Sequence, residues 1–233
     1  MARLIAALIR HGDYQQLPDT PSAHQPYPLN DQGVIQAQQG AQHLHEMVIR
    51  KGWTLVPAID SSRLLRAWQT ATILADRLAE LSSFTAGIES YDALAERSVG
   101  CLANLTVAQI EDVLRQDPRV SNPPAEWKAD SHYRLPLQGA ESLLQAGERV
   151  AAHLLQSMTA LPPDDHDQVK IFVGHGAAFR HAAYHLGVLE FGQIRQLSMF
   201  HCQPVVLEYL PDGHWHHIAG EWKVRSEDSR FTD

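Results

Sequence analysis

A chain of 233 residues in which 44% are hydrophobic and 20% charged has an ordinary globular composition, and its length fits one α/β domain better than two small ones. The formal charge of −8 argues against a nucleic-acid partner, which would need a basic stripe that this sequence lacks. With only Cys101 and Cys202 the chain has too few cysteines for a disulfide framework, so we expect a reducing, cytoplasmic compartment. No feature of the sequence indicates an oligomeric state.

Apolar runs and amphipathic stretches alternate along the chain, which is typical of βα units with a mostly parallel sheet. The first apolar run is too short for a signal peptide or a membrane span, so we expect no membrane association. In the first half of the chain the predicted elements are a strand over 4–9, a helix that is capped by Asn30 and reaches 49, a strand that ends at 58–60, a helix from Ser61 to 78 and an edge strand over 84–88. In the second half they are a helix over 141–158, a strand over 169–173 and a helix over 177–186. A hairpin over 205–218 comes last, with Asp212-Gly213 as its two-residue turn.

These elements predict an α/β fold, a three-layer αβα sandwich with a mostly parallel central sheet in a single domain over residues 1–233. Residues 117–139 contain four prolines and no clear periodicity, so we expect them to be irregular. Together with the residues before them they would form a lid or cap inserted at about 89–139.

Two histidines occupy equivalent places, each at the carboxyl end of a predicted buried strand. His11 is followed by Gly12, and His175 is followed by Gly176. Because the carboxyl ends of parallel strands meet at one edge, where helix N-termini bind anions, we expect both imidazoles to share one pocket. The glycines would let the backbone approach a phosphate closely.

Two arginines supply positive charge at the same edge. Arg10 precedes His11, and Arg66 belongs to the start of the helix that follows the second strand. A guanidinium group binds tetrahedral oxyanions through two parallel hydrogen bonds, and its charge disfavours protonation of a neighbouring imidazole. The sequence therefore predicts a neutral, nucleophilic His11 beside a phosphoryl group. This hypothesis requires His11 and His175 to face one cavity that is not filled by packed side chains.

Several motifs carry a family resemblance. Leu8-Ile9-Arg10-His11-Gly12 resembles the RHG signature of the histidine phosphatase superfamily, which includes the cofactor-dependent phosphoglycerate mutases. The resemblance continues in residues 28–37, 61–71, 139–142 and 173–180. It implies that His11 is the residue phosphorylated and that Arg10, Arg66 and His175 surround the transferred group.

The resemblance also implies a general acid. In the mutase-like branch a glutamate in an "L.E...G" segment protonates the leaving oxygen, and residues 94–100 have that form, with the glutamate at Glu96. The same carboxylate would then activate water against the phosphohistidine. A solvated Glu96 paired with Arg97 is the alternative, and Asp13 and Asp92 are the other candidate acids.

The predicted function is therefore phosphomonoester hydrolysis through a phosphohistidine on His11, with no need for a metal ion or other cofactor. Residues 101–106 do not preserve the side chains with which the mutases position a second phosphate, which favours hydrolysis. Phosphoglycerate mutase-type transfer and non-catalytic phosphate binding are the alternatives. The substrate would be a phosphorylated small molecule or a phosphoprotein, since Tyr14 after Arg-His-Gly-Asp is similar to a subgroup that includes protein phosphatases. Selectivity would come from residues 13–29 and 117–139.

Overall fold

The computed structural model describes residues 2–225. Helices cover both faces of a central sheet, and a small two-stranded ladder lies near the end of the described chain. The strands are β1 (Leu4–Arg10), β2 (Thr54–Ser62), β3 (Gly87–Tyr91), β4 (Gln168–Gly174), β5 (Leu197–Ser198), β6 (Pro204–Tyr209), β7 (Trp215–Ala219) and β8 (Lys223–Val224). The α-helices are α1 (Asp31–Lys51), α2 (Leu65–Leu81), α3 (Val107–Gln116), α4 (Leu143–Thr159), α5 (Gly176–His185) and α6 (Phe191–Gln196), and two short 3₁₀ helices span Asp92–Leu94 and Gly100–Leu102.

The central sheet has six strands in the order β3-β2-β4-β1-β6-β7. The first four are mutually parallel, whereas β6 runs antiparallel to β1 and β7 antiparallel to β6. Alternate residues of β1 enter two separate cores: Ile5 packs with α1 and α2, and Leu8 packs with α4 and α5. The predicted three-layer αβα fold with a mostly parallel sheet is thereby confirmed.

Several element boundaries differ from the prediction. Ser61 and Ser62 belong to β2, because they pair with Ser90 and Tyr91 of β3, so the following helix begins at Leu65. The edge strand lies at Gly87–Tyr91 instead of 84–88. In the terminal hairpin Asp212-Gly213 is not a two-residue turn. It lies in a loop of residues 210–214 that is closed by a 2.9 Å hydrogen bond from the Leu210 amide to the His214 carbonyl.

The chain between β3 and α4 builds a core of its own. Ile110 and Leu114 of α3 pack there with Trp127 and with Ala23 from the loop after β1. Helix α3 was not predicted from the sequence, and its start is set by a capping box between Thr106 and Gln109. Residues 117–139 contain no helix or strand, as predicted. Across residues 2–225 no helix is long and apolar enough to span a bilayer.

Candidate active site

His11 lies directly after β1, and its amide donates to the carbonyl of Gly174 at the end of β4, at 3.0 Å. The imidazole is almost fully buried, with 2% of its surface exposed. Its Nδ1 lies 2.7 Å from the carbonyl oxygen of Gly12, which can only accept, so Nδ1 carries the proton. Nε2 is left with a lone pair, toward which Arg66 Nε donates at 3.1 Å. This tautomer suits a nucleophile.

The second imidazole lies where the two equivalent strands predict it. The ring centroids of His11 and His175 are 5.0 Å apart. Nδ1 of His175 lies 3.3 Å from Arg66 Nη2, and its Nε2 lies 2.9 Å from the Ser62 hydroxyl. One guanidinium group therefore joins both imidazoles, and the two rings face one site.

Arg66 is held by an aromatic ring as well. Its guanidinium carbon lies 4.5 Å from the ring centroid of Tyr14, in cation–π geometry, and the rings of Tyr14 and His11 are nearly perpendicular, with their centroids 5.4 Å apart. Burial lowers the pKa of Arg66, while Tyr14 and the charge of Glu96 oppose that shift. Glu96 therefore lies within electrostatic range of the guanidinium.

Arg10 and the two glycines have packing contacts that the prediction did not include. Arg10 is half-buried and donates from Nη1 to the Met199 carbonyl at 3.0 Å. A Cβ on Gly176 would lie 3.1 Å from Cδ of Arg10, so this glycine makes room for the arginine. A Cβ on Gly12 would lie 2.5 Å from the Gly33 carbonyl, so glycine is needed there for the close approach to α1.

Glu96 is buried, with 6% of its surface exposed, and its Oε1 accepts from the Arg97 amide at 2.8 Å. It lines a cavity of about 10 Å³ together with Ser22, Ala23 and Ala177. The Arg97 guanidinium lies 5.7 Å from the Trp127 ring centroid. Glu96 is thus a buried carboxylate at the site and not a solvated loop residue.

The other two candidate acids are placed differently. Asp92 forms an exposed ion pair with Arg63 at 3.0 Å. Asp13 accepts from the Tyr14 amide at 3.0 Å and from the Asn30 side chain at 2.9 Å, so it holds the start of α1. Neither lines the cavity that contains Glu96.

Three further residues contact the site, and none of them was predicted to lie there. Ser62 positions His175, Tyr14 supports Arg66, and His201 places its Nδ1 2.6 Å from the His11 carbonyl oxygen. The position of His201 follows from the strand order. Strand β6 runs antiparallel to β1, so the residues that precede β6 must lie at the edge of the sheet where β1 ends. Ser62 is visible as a polar residue at the carboxyl end of β2.

A short segment closes the site, which the hypothesis of an open cavity did not anticipate. Residues 21–25, the covering segment, present backbone carbonyls to Arg66: Nη1 donates to Gln25 at 2.9 Å, and Nη2 donates to Ser22 at 3.1 Å and to Ala23 at 2.9 Å. The Tyr14 hydroxyl lies 3.0 Å from the Ser22 hydroxyl. Carbonyl oxygens therefore take the guanidinium donors that an oxyanion would use.

Buried histidines predict a fold that is sensitive to acid. Burial, and then a neighbouring arginine, lowers the pKa of His11 and His175 well below 6.5 and that of His181 to about 3. Once the pH falls below the ordinary histidine pKa, the unfolded chain binds more protons than the folded one, so the free energy of unfolding decreases. We expect urea unfolding to show a loss of about 4 kcal/mol between about pH 7 and pH 5.5.

Matched variants test the origin of that loss. His43 is exposed on α1, so His43→Gln should leave the pH dependence unchanged. His181→Gln removes one of the three imidazoles whose pKa is lowered in this way and should reduce the loss by about a third. A free energy of unfolding that stays constant over this pH range would contradict the assignment of neutral buried imidazoles.

Residues 6–219 match the histidine phosphatase superfamily (branch 1). The chain is 28% identical over 176 residues to the mitochondrial serine/threonine-protein phosphatase Pgam5 of Drosophila mojavensis, a match that covers 75% of this chain and 47% of that protein. The chain thus spans about half the length of this curated relative.

Solved structures share the fold at low identity. A structure described as mycobacterial hydrolase 2 is 20% identical with a TM-score of 0.72, covering 98% of this chain and 94% of its own. A mycobacterial glucosyl-3-phosphoglycerate phosphatase is 21% identical with a TM-score of 0.65, and the match covers 96% of this chain and 98% of that protein's chain. A phosphoserine phosphatase of Entamoeba histolytica is 16% identical with a TM-score of 0.60, and the match covers 96% of this chain and 98% of that protein's chain. The family match over nearly the whole chain is decisive: this protein belongs to the histidine phosphatase superfamily, branch 1.

Proposed function

We propose that this protein hydrolyses phosphomonoesters through a phosphohistidine on His11. The observation that carries the proposal is the fixed tautomer of His11, whose Nδ1 is bound to the Gly12 carbonyl while Nε2 points to Arg66. A neutral imidazole with its lone pair aimed at a guanidinium group is arranged to attack a phosphorus atom held by that group.

In the first step of this proposal Nε2 of His11 attacks phosphorus, and the bond from phosphorus to the alcohol oxygen breaks. Glu96 gives its proton to the departing oxygen. In the second step Glu96 takes a proton from water, which attacks the phosphohistidine and releases inorganic phosphate and free His11. Arg10, Arg66 and His175 would hold the phosphoryl oxygens in both steps, with the backbone at Gly12 and Gly176 beside them.

Substrate entry requires the covering segment to move. Phosphoryl oxygens would replace the carbonyls of Ser22, Ala23 and Gln25 as acceptors for Arg66, so the exchange of hydrogen bonds is close to balanced. Residues 89–139 would act as the lid in this motion, because Ala23 packs into their core. We propose that this insertion belongs to the same domain as the sheet.

Relatives support a phosphorylated substrate of either of two kinds. Pgam5 is named a serine/threonine-protein phosphatase, whereas two structural neighbours are named for phosphorylated small molecules. We propose a phosphorylated small molecule or a phosphoprotein as the substrate. Both cysteines are free thiols, which supports a reducing, cytoplasmic compartment.

Rapid-quench kinetics with p-nitrophenyl phosphate test the proposed function. A covalent intermediate predicts that nitrophenol appears in a burst before steady turnover, together with an acid-labile phosphoenzyme. A bisphosphorylated primer that stimulates isomerisation of a phosphorylated sugar acid, with little phosphate release, would indicate a mutase instead. Ligand binding without turnover would indicate a phosphate-binding protein.

Glu96→Gln should separate proton donation from binding. We expect kcat/KM for an alkyl phosphate to fall by about 10² to 10⁴-fold, because an alkoxide needs a proton as it leaves. With p-nitrophenyl phosphate, whose leaving group needs no proton, the loss should be much smaller. Asp92→Asn, which alters an exposed carboxylate, is the control and should change neither value. Equal losses on both substrates would contradict the role of Glu96 as general acid.

A further inference from the structure

Glu96 lies in a loop whose conformation is set by residues from another part of the chain. The loop leaves the sheet after β3 through the 3₁₀ helix at Asp92–Leu94, and Leu94 is buried in the core that α4 and α5 form with the sheet. Residues 95–98 belong to neither a helix nor a strand. The position of the Glu96 carboxyl group therefore depends on contacts that the loop receives from elsewhere.

Arg149 of α4 provides the contacts on the side that precedes Glu96. Its Nη1 donates to three backbone carbonyls of the loop, those of Asp92 at 3.1 Å, Ala93 at 2.8 Å and Ala95 at 3.2 Å. Its Nε and Nη2 donate to the two carboxylate oxygens of Glu141, at 3.0 Å and 2.8 Å. Two parallel bonds to one carboxylate fix the plane of the guanidinium group, so its third nitrogen is aimed at the loop.

Glu141 provides the contacts on the other side of Glu96. It lies directly before Ser142, the cap residue of α4. Its Oε2 accepts from the Ser98 amide at 3.2 Å, and its own amide donates to the Ser98 carbonyl at 2.9 Å. Burial raises the pKa of Glu141, but the hydrogen bonds and the charge of Arg149 lower it by more, so Glu141 is a carboxylate at neutral pH. The Glu141–Arg149 pair thus holds the chain one residue before Glu96 and two residues after it.

A further contact to the loop comes from the covering segment. Nε2 of His24 lies 3.0 Å from the Glu96 carbonyl oxygen, which can only accept, so this nitrogen carries the proton. This contact is lost if the covering segment moves to admit a substrate. Arg149 lies on α4, whose Val150 and Leu154 are fully buried against the sheet, so its contacts to the loop do not depend on the covering segment.

We propose that Arg149 and Glu141 are positioning residues for the general acid, and that they keep the Glu96 carboxyl group directed at the leaving oxygen after the covering segment opens. This inference rests on the proposed function, in which Glu96 protonates that oxygen. Proton transfer requires the donor and the acceptor to lie within hydrogen-bond distance, and a displacement of about 1 Å costs on the order of 10²-fold in rate. Both residues act through Glu96.

Arg149→Gln tests the inference on the full chain through the choice of leaving group. We expect kcat/KM for an alkyl phosphate to fall by about 10- to 10²-fold, because the acid is displaced from the leaving oxygen. The loss with p-nitrophenyl phosphate, whose leaving group needs no proton, should be less than about threefold. The ratio of the two values does not depend on the fraction of folded protein. Arg77→Gln, which breaks a surface ion pair with Glu80 on α2, is the control and should retain the ratio.

A double variant separates positioning from a purely structural role. In the Glu96→Gln background, Arg149→Gln should leave the ratio at the value of Glu96→Gln alone, because no acid remains to be positioned. Glu141→Gln, which keeps the shape of the side chain but removes its charge, should change the ratio in the same direction as Arg149→Gln. A ratio that Arg149→Gln leaves unchanged, or that falls further in the double variant, would overturn the positioning role and leave the proposed function intact. If the unaltered chain releases phosphate from neither substrate, the proposed function itself is wrong.

Discussion

His11→Ala will lose both phosphate release and the phosphoenzyme. We expect kcat to fall by roughly 10⁴-fold or more, because removal of a covalent nucleophile leaves only binding and electrostatic stabilisation. We do not expect the neighbouring His175 to substitute, since its Nε2 is engaged with the Ser62 hydroxyl at 2.9 Å. Rapid-quench kinetics and intact-protein mass spectrometry of quenched samples measure the two losses.

His43→Ala is the matched control for that experiment, because His43 is an exposed histidine on α1. It should retain the burst and the phosphoenzyme. Circular dichroism of His11→Ala shows whether the buried site tolerates the smaller side chain. A folded His11→Ala variant that still forms a phosphoenzyme would show that another residue is the nucleophile.

Arg66→Gln should have the second largest effect, a loss of about 10³-fold in kcat/KM. The reason is that one buried guanidinium reaches His11 through Nε and His175 through Nη2, and a neutral amide cannot stabilise the charge on a transferred phosphoryl group. Steady-state hydrolysis of p-nitrophenyl phosphate measures the loss. Arg63→Gln is the control, because Arg63 lies three residues earlier but is exposed and paired with Asp92.

The same variant tests how the covering segment acts. Arg66→Gln removes the donors for the carbonyls of Ser22, Ala23 and Gln25, so the segment should be held less firmly. If the only role of Arg66 were to hold the site closed, Arg66→Gln would increase kcat/KM. An increase, or a value within about tenfold of the original chain, would contradict a role in phosphoryl transfer.

Local patterns were sufficient for much of the fold. The runs of residues 4–9 in β1 and 169–173 in β4 are buried on both sides, so all of their residues except Lys170 are hydrophobic, and Lys170 is paired with the buried Asp60. Asn30 was recognisable as a helix cap, and its side chain does accept from the Gly33 amide at 2.8 Å. The short helix α3 was missed although its start has a local signal, the capping box between Thr106 and Gln109.

His11, His175 and Arg66 could be named from the sequence because they follow strands that have a strong local signal, whereas Glu96 was named from the family resemblance. Strand ends at one edge of a parallel sheet must converge, and this brings His11 and His175 together without knowledge of the side-chain geometry. The tautomer of His11 and the contact of Arg66 with Tyr14 did not follow from that rule, since they depend on distances of a few ångströms.

The amino-acid sequence by itself determined the layered fold, the family and the set of charged groups at the sheet edge, because periodicity and short motifs are properties of neighbouring residues. Only the tertiary structure decided that the site is closed. Closure depends on backbone carbonyls of residues 22–25, which every residue type possesses and which therefore leave no mark in a sequence.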